Sequence, residues 1–232
     1  MQLLSRFCIV CGFFSGREIL CAHCAEQLRL SRLELRFSNF CGCGMPVIGS
    51  SSCTDCAGNS GSALIIGHHS CFLYCGIVRE LMHAYKFQGF RQIAGLFAAA
   101  LSELTGHFDN PCIVPVPGHP VNVRRRGWDQ MEAVIRQPVL DSVPAFRLLR
   151  HSSRARNQKV LRRQQRFGNS QRIFSIDRHE MRAFTRSEEN GMSRSIFLVD
   201  DIRSTGATLS AAADLLSGFS ISVCGTISLA MH

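Results

Sequence analysis

The sequence has no apolar run long enough to cross a membrane. Its longest apolar stretch, Ile93 to Leu101, contains 9 residues, whereas a membrane-spanning helix needs about 20. The N-terminal apolar stretch carries Arg6 and two cysteines and lacks a small-residue cleavage site, so no secretory signal is predicted. Gly-X-Y and heptad repeats are also absent, which excludes a fibrous protein. We therefore expect a soluble, cytoplasmic protein.

Histidine motifs are absent, and lysine is rare. The 9 histidines form no H-x-E or HExxH pattern, and only two of the 26 basic residues are lysines. The formal net charge is +9, and the segment from Ser142 to Ile176 has nine basic residues and no acidic one. Arginine pairs with phosphate through a planar fork of N–H groups, so such a segment favours nucleic acid. The predicted nucleic-acid contacts are Arg154, Arg156, Arg162, Arg163 and Arg166.

Cysteine, in contrast, is concentrated at the N-terminus. Eight of the 12 cysteines form four close pairs there: Cys8/Cys11, Cys21/Cys24, Cys41/Cys43 and Cys53/Cys56. In a cytosolic chain this spacing favours metal ligands over disulfides. Four thiolates complete a closed tetrahedral Zn2+ site, so the metal is expected to be structural. An iron–sulfur cluster and redox pairs are the alternatives, and consecutive pairs or the first and third pairs could share an ion.

The chain divides into two predicted domains. Residues 1–60 form a cysteine-rich zinc-binding module that ends in a Gly- and Ser-rich linker, and residues 61–232 form the second domain. Zinc removal is expected to unfold the first and to leave the second folded. Apolar spacing predicts helices over residues 77–88 and 90–104. The polar segment 182–195 predicts a mobile loop.

The C-terminal part predicts a strand–loop–helix–strand unit. The apolar run Ile196 to Val199 reads as a buried parallel strand that ends at two aspartates. A loop rich in hydroxyl groups follows, then a helix through Leu209 and Leu216, and then a strand over residues 220–230. This order predicts an α/β fold with a mainly parallel sheet.

The loop after this strand is a candidate phosphate site. Such a loop lies at the carboxyl edge of the sheet, and the N-terminus of the next helix attracts anions. Glycine lets the backbone approach a phosphate closely, and hydroxyl groups add donors. The two carboxylates suit the hydroxyls of a ribose, so the loop predicts a sugar-phosphate ligand. The residues concerned are Asp200, Asp201, Ser204, Thr205, Gly206 and Thr208.

The segment from Phe197 to Thr208 resembles the 5-phosphoribosyl-1-pyrophosphate (PRPP) binding motif of type I phosphoribosyltransferases. Together with the cysteine-rich N-terminus, Tyr85 to Gly89, Val114 to Pro117 and Arg124 to Gln130, it resembles the ComF (GntX-like) competence family. The order of these motifs covers nearly the whole chain. The departures are Ser204 for Thr, Trp128 for Phe and Asp129 for Asn, and an added negative charge at Asp129 would alter what the site accepts.

The resemblance implies a type I phosphoribosyltransferase-like parallel sheet flanked by helices. It implies that Asp200 and Asp201 hold the ribose hydroxyls and that Lys86 assists catalysis at the pyrophosphate, with Mg2+ bound alongside PRPP. The 5-phosphate would lie on Ser204, Thr205, Gly206, Ala207 and Thr208. The pyrophosphate would lie near Arg124, Arg125 and Arg126. The segment from Val114 to Gly118 follows a predicted strand and is the predicted loop around the pyrophosphate, with a plain tight turn as the alternative. A surface position for Lys86, and a nucleic-acid role for the three arginines, are the alternatives.

Two functions follow from the resemblance. One is a PRPP-binding protein of the phosphoribosyltransferase (glycosyltransferase) type, acting in DNA uptake and transformation or in nucleotide metabolism. The other is a non-enzymatic protein that binds single-stranded DNA or DNA-uptake proteins and keeps the fold as a scaffold or sensor. Trp128, Cys71, Cys75, Cys112 and Cys224 are predicted to be core residues, and His68 and His69 are predicted to lie on the surface.

Overall fold

A single four-stranded sheet organises the chain. The computed structural model describes residues 6–36, 38–41, 44–49, 53, 67–152, 173–189 and 194–232. All four strands are parallel and lie in the order β1, β6, β5, β2. Their bounds are β1 His68–Leu73, β2 Pro111–Pro115, β5 Ser195–Arg203 and β6 Gly225–Met231, and an antiparallel pair is formed by β3 Leu149–His151 and β4 Phe174–Ile176.

Helices connect the strands and cover the sheet. In chain order they are α1 Ala22–Leu30, α2 Leu33–Arg36, α3 Gly76–Phe87, α4 Ile93–Thr105, α5 Pro120–Arg126, α6 Gln130–Ile135, α7 Arg178–Glu189 and α8 Ala207–Ser217, with a 3-10 turn at Pro138–Leu140. The predicted strand–loop–helix–strand unit is therefore confirmed as β5–α8–β6. The protein is a mixed α/β structure with a parallel sheet flanked by helices. The narrower, phosphoribosyltransferase-like arrangement stays a prediction.

The two faces of the sheet have separate cores. On one face, α4 and α6 bury Phe97 and Met131 against Phe197 and Leu229 of the sheet. On the other face, Leu198 packs with α8 and with the β3–β4 pair. Complete burial of one such side chain contributes about 1.5–3 kcal/mol relative to leaving it exposed. Apolar residues on both faces explain the continuous apolar run from Ile196 to Val199 in β5. In β6, by contrast, Thr226 and Ser228 hydrogen-bond the buried His68.

The N-terminal module packs on the same core as the sheet. Cys8, Leu20, Cys24 and Leu28 are buried in the cluster that contains Phe97. The Leu73 N–H of β1 donates to the Ser31 carbonyl at 3.2 Å, and Arg32 is paired with Glu103 of α4 at 2.5 Å. Residues 54–66 lie outside the described residues, so the domain boundary at residue 60 stays a prediction. Residues 6–36, however, share a hydrophobic core with the α/β unit.

The predicted loop over residues 182–195 is wrong in its first half, where the chain is helical. Helix α7 begins after Asp177, whose Oδ1 accepts hydrogen bonds from the N–H groups of His179 and Glu180. Phe184 is the buried anchor of this helix, and Met181 packs partly beside it. Its only apolar residues are Met181, Ala183 and Phe184, so the low overall hydrophobicity of the segment hid the helix in the sequence.

Two smaller predictions from the sequence, a basic turn over residues 124–127 and a surface position for His68, also differ from the structure. Arg124 to Arg126 belong to helix α5, which ends at Gly127 in the left-handed conformation with φ +79°. His68 is buried, because its ring nitrogens hydrogen-bond Thr226, Ser70 and Ser228 across β1 and β6.

Among the other cysteines, Cys71 and Cys112 are buried as predicted. Cys75 is half-buried and Cys224 is exposed, because they lie beyond the ends of the apolar runs. Among the helices of the described ranges, none is both long enough and apolar enough to span a bilayer.

Candidate functional site

The candidate site lies where β5 ends and α8 begins. Because all four strands are parallel, their carboxyl ends meet at one edge of the sheet, and β5 passes there into the loop at residues 204–206. Gly206 is the N-cap of α8 with φ +74°, a conformation that favours glycine. Ser204, Thr205 and Thr208 are exposed around it. Exposed hydroxyls and helix N–H groups thus surround one point at the sheet edge, as an anion requires.

The two aspartates at this edge have different partners. The Asp201 side chain is 10% exposed, and its Oδ2 lies 2.8 Å from the Lys86 ammonium of α3. The same oxygen accepts a hydrogen bond of 2.6 Å from the amide nitrogen of Gln130. Asp200 is half-buried, and its Oδ1 accepts the N–H of Asp201 at 2.8 Å. Asp201 is thus neutralised by Lys86, whereas the Asp200 carboxylate is held by the backbone N–H of the next residue.

Asp200 consequently has a shifted protonation equilibrium. Burial raises the pKa of Asp200 to about 7, and the negative charge of Asp201 adds to this effect. The N–H of Asp201 and the charge of Lys86 oppose it. A carboxyl group with this pKa is present in both forms at neutral pH. It can therefore donate to, or accept from, a ligand hydroxyl.

Lys86 is not a surface residue, because its side chain is only 17% exposed and pairs with Asp201. It extends from the last turn of α3, where Tyr85 is buried and donates its hydroxyl to the Gln130 carbonyl at 2.6 Å. The Gln130 side-chain oxygen in turn accepts from Arg126. Gln130 therefore connects α3, α5 and β5, and sequence reasoning assigned it no role.

A second contact joins the loop after β2 to the start of α6. The Asp129 carboxylate caps α6, because its Oδ1 accepts from the N–H groups of Met131 at 2.9 Å and Glu132 at 3.2 Å. Its other oxygen accepts the Gly118 N–H at 2.6 Å. Gly118 follows the Val-Pro-Val-Pro segment that the family resemblance singled out. One aspartate thus fixes both the helix and the loop.

The predicted pyrophosphate arginines lie on α5, beside aromatic rings. Arg124 and Arg125 are exposed, and Arg125 stands 5.8 Å from the ring centre of Phe87. Arg126 and Arg91 both stack on Trp128, at 5.6 and 5.4 Å from its ring centre. Trp128 is buried, which confirms its predicted place in the core. This end of α5 is therefore basic and flanked by aromatic side chains.

The first two cysteine pairs form a candidate metal centre. The sulfur atoms of Cys8, Cys11, Cys21 and Cys24 all lie within 4.8 Å of one another. The Cys11 and Cys21 sulfurs are 3.6 Å apart. A disulfide would need about 2.05 Å, whereas zinc–sulfur bonds of about 2.3 Å in a tetrahedron place sulfurs roughly 3.8 Å apart. The four thiols therefore fit Zn2+, and consecutive pairs make up the site.

The backbone around one sulfur of this cluster favours a thiolate. Burial raises the pKa of the Cys8 thiol, but hydrogen bonds from the backbone N–H groups of Cys11, Cys21 and Val10 outweigh it and lower the pKa to about 6. Burial raises the pKa of Cys24. Backbone donors aimed at sulfur are the environment that stabilises a metal-bound thiolate.

The other predicted ligands are only partly described. Cys41 and Cys53 are buried together with Val47. Cys43 and Cys56 lie outside the described residues. The predicted nucleic-acid arginines also lie outside them: Arg154, Arg156, Arg162, Arg163 and Arg166. A second metal site and a nucleic-acid segment therefore stay predictions.

A separate groove of about 740 Å3 opens between the cysteine module and α4. It is lined mainly by apolar side chains, among them Phe14, Leu28 and Leu96, and neither acidic residue of β5 reaches it. An apolar lining does not complement a sugar phosphate. The end of β5, with its carboxylates, ammonium and hydroxyls, is the better candidate for chemistry.

The geometry can now be set beside known proteins. The chain is similar to competence protein ComFC. The sequences of this chain and ComFC of Streptococcus pneumoniae (strain ATCC BAA-255 / R6) are 26% identical over 167 residues, which cover 72% of this chain and 69% of the relative. No protein-family model matches the chain. The similarity to ComFC supports a distant relationship to the ComF competence proteins.

Proposed function

We propose that the protein binds PRPP at the junction of β5 and α8 and acts in competence, in DNA uptake and transformation or in the nucleotide metabolism that serves them. One observation carries the proposal: two acidic residues end a central parallel strand and lead directly into an exposed hydroxyl loop at the N-terminus of a helix. The similarity to a protein named for competence supports the biological setting.

Each part of the ligand has a counterpart at this edge. Asp200 and Asp201 hold the ribose hydroxyls, and the segment from Ser204 to Thr208 holds the 5-phosphate through its N–H and hydroxyl groups. Lys86 lies 2.8 Å from Asp201 and orients that carboxylate. Mg2+ would accompany PRPP as part of the ligand. The fold class suited to this arrangement is that of a type I phosphoribosyltransferase.

A transfer reaction would use the same groups for positioning and for charge stabilisation. In such a step the bond from ribose C1 to pyrophosphate breaks, a bond from C1 to an acceptor forms, and pyrophosphate leaves. The arginines of α5 supply positive charge close to Lys86. Release of pyrophosphate in the presence of candidate bases is the measurement that distinguishes an enzyme from a PRPP sensor.

Calorimetric titration tests the proposal. PRPP and ribose 5-phosphate, each with Mg2+, are titrated into the wild type and into the Asp200→Asn, Asp201→Asn double variant. Asp141→Asn is the matched control, because it removes one negative charge from an exposed turn. We expect the wild type and the control to bind both ligands and the double variant to bind neither. No binding of either ligand to the wild type would overturn the proposal.

A second candidate function is binding of single-stranded nucleic acid at α5. Phe87 is 60% exposed and stacks with Arg125, so an aromatic face and a guanidinium lie together on the surface. Bases stack on such faces, and arginines contact the phosphates. The acid-free segment from residue 142 to 176 adds positive charge.

Salt dependence tests this second function. Affinity for single-stranded DNA should fall steeply with salt because arginine–phosphate contacts release counterions. Phe87→Ala with Arg125→Ala should weaken binding, whereas Arg182→Ala, on exposed helix α7, should not. An affinity for single-stranded DNA that changes neither with salt nor with the double substitution would contradict a nucleic-acid surface at Phe87 and Arg125.

A further inference from the structure

The loop proposed to receive pyrophosphate already has its donor occupied by a carboxylate. Gly118 follows β2 at the same edge of the sheet as Asp200, and its N–H donates to Asp129 Oδ2 at 2.6 Å. A backbone N–H free of such a partner is what a phosphate oxygen binds in a loop of this kind. An entering phosphate must therefore displace Asp129 from Gly118.

The space above Gly118 is filled mainly by oxygen atoms. A methyl group placed on this glycine would meet Asp129 Oδ2 at 2.8 Å, Gln130 Oε1 at 3.0 Å and Val123 Cγ2 at 3.1 Å. The first two are hydrogen-bond acceptors, and one carries a negative charge. Phosphate oxygens are also acceptors with negative charge, so the lining of this loop repels them as it stands.

Two of the four cations predicted for the pyrophosphate already have partners inside the site. Lys86 is paired with Asp201, and Arg126 donates to Gln130. The other two, Arg124 and Arg125, are exposed on α5. The Asp129 carboxylate therefore meets a phosphate at Gly118 while part of the nearby positive charge is engaged elsewhere.

We propose that Asp129 is a specificity-determining residue that disfavours a 1-pyrophosphate group relative to an uncharged substituent at ribose C1. This inference rests on the proposed ribose-phosphate site and deepens it. Asp129 lies at the Gly118 loop and has no contact with residues 204–208 among the interactions described for its carboxylate. Its effect should therefore fall on the pyrophosphate end of a ligand and leave the 5-phosphate end unchanged.

Two substitutions release the Gly118 N–H while keeping helix α6 capped. Asp129→Asn retains the Oδ1 that accepts from Met131 and Glu132, but its amide group donates and cannot serve Gly118 as the carboxylate does. Asp129→Ser also caps helices well and is too short to reach the loop. The second variant keeps the test decisive if the first one folds poorly. Asp141→Asn is again the control for the loss of one charge.

The experiment is a calorimetric titration of inorganic pyrophosphate, PRPP and ribose 5-phosphate, each with Mg2+, into the four proteins. We expect both Asp129 variants to bind pyrophosphate and PRPP at least roughly tenfold more tightly than the wild type, about 1.4 kcal/mol. Their affinity for ribose 5-phosphate should stay within about twofold of the wild type. The control should match the wild type for all three ligands.

The other outcomes separate the two proposals. Unchanged pyrophosphate and PRPP affinities in both variants would overturn the role of Asp129 while ribose 5-phosphate binding still supports the site. An equal gain for ribose 5-phosphate would also overturn it, because the effect would not be specific to pyrophosphate. Absence of both ribose 5-phosphate and PRPP binding in every protein would overturn the proposed function. A pyrophosphate gain in the variants would still support the role of Asp129 at Gly118.

Discussion

The environments of the two aspartates at the end of β5 depend on residues that lie far away in the sequence. Lys86 and Gln130 both contact the same oxygen of Asp201, and Gln130 is 71 residues from it. Both charged groups of this buried ion pair lose hydration, and that cost offsets much of their attraction. The pair therefore fixes the orientation of the Asp201 carboxylate more than it stabilises the fold. For Asp200, burial and then the charge of Asp201 raise the pKa, and the opposing Lys86 ammonium is paired with Asp201 instead.

The raised pKa of Asp200 predicts a dependence of stability on pH. The folded-state pKa of about 7 lies above the ordinary aspartate value of 3.8, so the folded protein retains a proton that the unfolded chain gives up. The associated stability is fully present below about pH 4 and is lost as pH rises through 7. Urea unfolding of the wild type and Asp200→Asn should show a free-energy difference that moves against the wild type over this range. Parallel curves would contradict the pKa assignment.

The start of helix α8 at the sheet edge depends on the backbone conformation of Gly206. Helix α8 starts at Gly206, whose φ of +74° places the loop hydroxyls at the helix N-terminus. The guanidinium of Arg203 lies beside this glycine, since an added methyl group would be 3.2 Å from its Nε. Glycine is favoured at position 206 for two reasons: its φ is positive, and the Arg203 side chain leaves little room for a methyl group.

Gly206→Ala should lower the free energy of unfolding by about 1–2 kcal/mol, because a side chain is unfavourable at positive φ. Gly218 ends the same helix with φ −63°, so Gly218→Ala is the matched control and should change the free energy by less than about 0.5 kcal/mol. Urea titration of both variants measures the difference. Equal effects of the two substitutions would show that the conformation of Gly206 has no special cost.

Local sequence patterns were sufficient to predict several helices and strands. Contacts between residues far apart in the sequence could not be predicted from such patterns. The β5–α8–β6 unit followed from a buried apolar run, a loop signal and helical spacing. Helix α7 was missed because Phe184 is its single buried anchor. The link from Asp129 to Gly118 spans a loop and a short helix, and no periodicity encodes it. The site residues were named from motifs, whereas their pairing needed the fold.

At the scale of the whole molecule, the cysteine module and the sheet form one packed unit in the described part of the chain. Helix α1 contacts α3, and buried residues of residues 6–36 lie in the core cluster that also contains Trp128. The expectation that zinc loss would unfold residues 1–60 alone conflicts with this shared core. Cooperative unfolding is the behaviour expected of elements that share buried contacts.

Removal of zinc should therefore destabilise the sheet domain as well. Trp128 is the single tryptophan of the chain and reports on the core beside the candidate site. We expect a chelator, or Cys24→Ser, to move the urea midpoint of Trp128 fluorescence to lower concentration. Cys224→Ser, at an exposed position outside the cluster, is the control. A Trp128 midpoint unchanged by metal loss would show that the module folds independently.

Helix α3 connects the candidate metal centre to the candidate site at the end of β5. It packs against helix α1, whose Cys24 belongs to the candidate metal centre, and its last turn carries the lysine that pairs with Asp201. Chains whose candidate metal centre stays empty in a zinc-starved host are therefore expected to have a badly formed candidate ligand site as well, although the four clustered cysteines are not part of that site. The trace-metal content of the growth medium then becomes a variable of any assay of this protein, and preparations with less than one zinc per chain would bind less ligand in proportion.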